Sequence, residues 1–146
     1  MGYEAFVYLP ANTSVSVGVV RELLKALVEE EALHIEGEKA LVVRFGDWSV
    51  TIHLNRKEHV AVEAREQAEA LAKNRPDKEE IAGCGVRLEV VTDDDEDMDH
   101  FNDYLILVEK LGELDGAKVL DLALGEFSDP PVEKKRQKRK SKEGAD

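Results

Sequence analysis

Residues 39–54 read KALVVRFGDWSVTIHL, two apolar-rich arms around Gly46-Asp47. A two-residue connection with a glycine supports a tight hairpin, because glycine takes positive φ without steric cost. In the second arm Trp48, Val50, Ile52 and Leu54 share one face and Ser49, Thr51 and His53 the other. That strand therefore buries one side only, which is the signature of an antiparallel sheet.

Upstream, Tyr3 to Leu9 alternates in the same way, with Tyr3, Ala5, Val7 and Leu9 on one side and Glu4, Phe6 and Tyr8 on the other. Between this strand and the hairpin, Asn12-Thr13-Ser14 offers capping side chains. Val17, Val20, Leu23, Leu24, Leu27 and Val28 then recur at spacings of three and four. That predicts an amphipathic helix of about four turns. Its far end would carry Glu29, Glu30 and Glu31, where the helix dipole disfavours acids, so either the helix continues or those carboxylates serve another purpose.

Downstream, Val60, Ala64, Ala68 and Leu71 predict a second helix over 57–74, stopped by Pro76. Ile81 to Gly85 reads as a turn placing Cys84 between two glycines, and Val86 to Thr92 as a β-branched strand. The run Asp93-Asp94-Asp95-Glu96-Asp97 precedes a third helix whose inner stripe would be Met98, Phe101, Leu105, Val108 and Leu111. A last strand is expected over 118–124. Gly125 and Asp129-Pro130-Pro131 then close a single folded domain at residue 132. The order β-α-β-β-α-β, followed by one more helix and strand, predicts an α+β fold with a ferredoxin-like core and a mostly antiparallel sheet.

Charge divides the chain in two. Residues 133–146 hold seven Lys/Arg against three acids, a net +4, so residues 1–132 carry −16 of the overall −12. Residues 133–146 have almost nothing apolar to bury, which predicts a disordered tail, and its basic cluster Lys134 to Lys140 is of the kind associated with polyanion contacts or nuclear import. The acidic body repels phosphate backbones and anionic lipid, which argues against nucleic-acid binding by the folded domain and against a membrane partner. No apolar run of signal-peptide type follows Met1, and the lone Cys84 forms no internal disulfide. Both observations lead to the expectation of an intracellular, cytoplasmic protein.

No residue pattern specifies a cofactor, and the candidates for chemistry are few. Clustered carboxylates attract hard cations, but a calcium loop begun at Asp93 would need glycine and glutamate where Met98 and Tyr104 stand. His34, His53, His59 and His100 lie on different elements. Only His53 and His59 are placed to approach one another, across the end of the hairpin. A small enzyme or metal-dependent domain would draw on Asp95, Asp97 and His100, or on Cys84 with His100 as its base, provided these converge. A homodimeric adaptor would pair a spare apolar face of the sheet with its copy.

The composition favours a non-enzymatic protein that binds a basic partner protein, by analogy of charge and size with acidic inhibitors and immunity-type proteins. Glu29, Glu30, Glu31, Asp93, Asp94, Asp95, Asp97 and Asp99 are its expected partner-binding residues, both runs being denser in carboxylate than capping requires.

Overall fold

The computed structural model describes residues 2–128. The boundary expected at 132 and the basic tail lie outside the described residues. Seven strands form one sheet in the order β2-β3-β4-β5-β1-β6-β7, with every neighbouring pair antiparallel. The strands are β1 (Glu4–Pro10), β2 (Leu33–Glu36), β3 (Ala40–Phe45), β4 (Trp48–Asn55), β5 (Cys84–Thr92), β6 (Lys118–Asp121) and β7 (Glu126–Phe127). Among the described residues four helices accompany them, α1 (Val17–Leu24), α2 (Glu58–Leu71), α3 (Lys78–Ala82) and α4 (Phe101–Leu111). The mixed α+β class and the β3–β4 hairpin stand as the sequence indicated. Gly46 has φ of 66°, as a turn with positive φ at its first central residue needs.

The strand order corrects the expected ferredoxin-like core. In that interleaved arrangement the first strand and the second arm of the hairpin are neighbours, whereas here β5 lies between them and pairs with both. One split unit does form, because β5 and β6 run parallel on either side of β1 and are joined through α4.

Alternation sends Ala5, Val7, Leu9, Leu41, Val43, Val50, Ile52, Leu54, Leu88 and Val90 to one face, where α1 and α4 cover them. On the reverse face α2 and α3 bring Val60, Ala64, Ala68 and Ile81 against Tyr8, Cys84, Leu120 and Phe127. This second layer covers only the half of the sheet built on β5, β1, β6 and β7. The remaining half presents His34, Glu36, Arg44, Ser49, Thr51 and His53, four of them exposed and Ser49 and His53 half-buried. The spare sheet face that a homodimer was expected to use is mostly polar, with Val42 and the exposed Val91 among its residues.

Three helix readings are revised. α1 ends at Leu24, after which Leu27 and Val28 both donate to the Leu24 carbonyl in a tightening turn, so the helix stops well short of four turns. The chain then passes through a short 3-10 turn, Glu30–Ala32, into β2, a strand that the sequence reading lacked. α4 begins only at Phe101, after the Met98 that was expected to open its inner stripe, so the acidic run is separated from the helix. Tyr104, Leu107 and Leu111 form its buried side, and Leu105 is 41% and Met98 58% exposed. The segment before β5 is not an open turn either, because α3 occupies it and Cys84 is the first residue of the strand.

Candidate functional site

The loop leaving β5 is built by its own carboxylates. Asp93 Oδ2 accepts from the Ser49 amide at 2.9 Å and the Ser49 hydroxyl at 3.0 Å, stapling the loop to β4. Asp95 Oδ2 accepts from the Tyr3 hydroxyl at 2.7 Å and the His100 amide at 3.0 Å. Desolvation and then that bond to Asp95 push the Tyr3 phenol up to about 12. Met98 takes φ of 59° to reverse the chain, and Trp48 Nε1 donates to the carbonyls of Asp93 and Asp94 at 3.0 and 3.1 Å. The His100 ring stacks on Trp48 with centroids 4.7 Å apart, while its Nδ1 lies 3.0 Å from Asp103. Two carboxylates of the run are therefore structural. Glu96, Asp97 and Asp99 are exposed, and no salt bridge among the described residues takes them.

The other run divides similarly. Glu30 accepts from Arg21 at 2.9 Å, with Lys25 at 3.7 Å. That hydrogen bond and the two cations hold its carboxyl below the usual range. Glu29 and Glu31 remain exposed and without an ion pair among the described residues. A shallow depression of about 430 Å³ lies here, bordered by Lys25, Glu29 and Arg44 around Ala26, Leu27, Val28 and Ala32.

Register brings the two runs to the same end of the molecule. Leu33 pairs with Val43, Val43 with Val50 and Val50 with Thr92, so residues 29–31 and 93–99 leave the sheet at one level. Three strand spacings, about 14 Å, separate them across the sheet.

The enzymatic candidates do not meet. Cys84 is 2% exposed in the cluster beneath α3, its thiol donates to the Glu80 carbonyl at 3.4 Å, and burial pushes it up to about 11. His100 and Asp95 are packed into the loop on the other side of the sheet, against Trp48 and Tyr3. A thiolate–imidazole pair is not formed. Among the described residues no group of three His, Cys, Asp or Glu could hold a metal ion, and no helix is long and apolar enough to cross a membrane.

A polar network that the sequence reading passed over sits where α2 flanks the open half of the sheet. Arg87, on the β5 face opposite Val86 and Leu88, donates to Glu89 at 2.7 Å, Glu63 at 2.8 Å and the Tyr8 hydroxyl at 3.1 Å. Its guanidinium lies 4.0 Å from the centre of the Phe6 ring, and Tyr8 donates to Gln67 Oε1. Phe6 is capped by Arg87 and Tyr8 is buried, so the pair makes no stacking platform for bases. Asn55 donates to Glu89 at 2.9 Å and lies 3.3 Å from His59 Nε2, while His53 Nδ1 is 3.6 Å from Glu89. The two histidines thus approach through Asn55 and Glu89. Burial opposes ionisation of Glu89, but the hydrogen bonds from Asn55 and Arg87 outweigh it and hold the carboxyl below its usual range. The sequence signal for this network was the alternation Val86-Arg87-Leu88-Glu89-Val90, which places two charges on a face that the neighbouring strands also make polar or aromatic.

Comparison with protein-family models, with curated proteins and with solved structures finds no match to the chain.

Proposed function

We propose that the protein is a non-enzymatic binding module whose acidic end of the sheet docks a basic partner protein, in the manner of a small inhibitor or immunity-like protein. One observation carries this reading: Glu29 and Glu31 on one side and Glu96, Asp97 and Asp99 on the other are exposed, unpaired among the described residues and displayed at the same end. Asp93 and Asp95 shape the loop and Glu30 anchors the other run, so these three of the expected binding residues act by positioning their neighbours. A body with this excess of carboxylate steers a cationic surface toward it and rejects anionic ones. The lone, deeply buried thiol fits an intracellular setting.

The basic segment 134–142 of the same chain is the nearest competitor for this surface. The test is therefore capture from native lysate with the full chain and with residues 1–132, at low and at high salt, beside the variant E29Q/E31Q/E96Q/D97N/D99N. A partner bound through this end is lost at high salt and lost with the variant. Capture that ignores both would overturn the proposal.

A further inference from the structure

The outermost strand of the sheet on the acidic side is β2, which pairs with β3 and, among the described residues, has no strand on its other edge. Exposed edges present unpaired backbone N–H and C=O groups, and stable proteins guard them with lysine, proline or bulges. β2 lacks lysine, proline and a bulge, and is guarded only by its four-residue length and by acids that repel anionic but not cationic strands: residues 29–38 contain five acids and neither lysine, arginine nor proline. Ile35, in the middle of the strand, is 49% exposed. The edge is short, and it is fenced on both sides by carboxylates, Glu29 and Glu31 before it and Glu36 and Glu38 after it. None of these four has an ion pair among the described residues. The opposite edge, β7, is two residues long and offers little to pair with.

We infer that the outer edge of β2 receives an extended, lysine- or arginine-bearing segment of the partner as an additional strand. This inference rests on the cationic-partner reading above and specifies its mode. Main-chain pairing with 33–36 would supply affinity without demanding particular side chains, and alternate side chains of the incoming strand would meet Ile35 on one face and His34 and Glu36 on the other. Charge decides the identity of the occupant. Antiparallel pairing of two copies of β2 would set Glu36 and Glu38 of one against Glu29 to Glu31 of the other, and like charges placed opposite one another oppose such a dimer. A cationic strand meets the same carboxylates favourably.

The probe is a capped peptide of about ten residues alternating lysine and threonine, compared with the same peptide methylated on every backbone nitrogen, which keeps the charge and has no backbone donors. Both are added to the full chain at low salt, and amide hydrogen exchange is read over residues 33–36. The lysine–threonine peptide should slow exchange of alternate amides in β2 by at least about tenfold, the response of amides newly enclosed in a ladder. The N-methylated peptide should not. Ile35→Pro, and Glu36→Lys as a substitution milder for folding, should each abolish that protection. If both peptides bind and neither protects β2, the edge is not the docking element and the cationic-partner reading survives alone. If neither peptide binds at low salt, to the full chain or to residues 1–132, the reading and the inference fall together.

Discussion

Arg87 shows how far a single residue's role can depend on partners distant in the chain. Its side chain is 6% exposed and neutralises Glu63 from α2 and Glu89 from its own strand. Removing it leaves two carboxylates close together, Glu89 22% and Glu63 39% exposed. Arg87→Met should therefore cost about 1–3 kcal/mol in urea unfolding, less than a fully buried pair would, because the Glu63 carboxylate is 39% exposed. A loss within experimental error would mean that the network is ornamental. Cys84 yields the opposite kind of prediction: with its thiol pushed up to about 11 and enclosed, a thiol reagent at neutral pH should label it only as fast as the protein unfolds. Rapid labelling of the folded chain would revive a nucleophilic role. Asp77 is titrated by its surroundings too. Burial opposes its charge, yet the paired hydrogen bonds from Arg75 and the ammonium of Lys118 prevail and lower its pKa. A carboxyl depressed in the folded state stabilises above its unfolded pKa of about 4 and ceases to do so as pH falls below it. The urea midpoint should drop between pH 6 and about 3, and Asp77→Asn should flatten that drop; parallel curves would contradict the assignment. In the sequence, the inward residues of β5 were legible from alternation alone. Their outward neighbours were not, because Arg87 acquires meaning only when α2 docks across the strand.

Elements were legible in proportion to how much local chemistry agreed with their environment. The β3–β4 hairpin has matched alternation, β-branched residues and a glycine at the required φ, and it forms where the pattern placed it. α1 was read too long because Leu27 and Val28 continue its spacing; the three glutamates that follow disfavour a helix end, and the chain must turn to deliver Leu33 to β3. Its start is held by Ser16, whose hydroxyl accepts from the Val19 amide at 3.2 Å. Ser16→Ala should lower stability by about 1 kcal/mol, the usual contribution of a helix cap, as read by denaturant unfolding; no change would show that packing alone sets this end. β2 escaped notice because four residues with one buried side chain give too short an alternation to detect. The stripe of α4 was misphased for a physical reason as well. Met98 and Leu105 fit a helical spacing, but Asp95 captures the His100 amide and Met98 adopts positive φ, so the helix begins after both features and turns Leu105 outward.

On the scale of the whole molecule, a sheet covered on one face by α1 and α4 and half covered on the other leaves a mostly polar open face, and its two densest acidic runs leave it at one end. Composition made the excess of acid legible. It did not show that residues 29–31 and 93–99 leave the sheet at one level, since that follows from the pairing of four strands of which one was unrecognised. Nor did it separate the carboxylates that fold the loop from those that face outward. The central claim is that the outward set forms one cation-binding end, and amide chemical shifts followed during titration of the full chain with a short oligoarginine peptide test it most directly. The account predicts shifts concentrated at residues 29–31 and 93–100 that disappear as salt is raised. Shifts centred on the opposite end, at residues 56–58 and 115–118, or spread evenly over the surface, would contradict it.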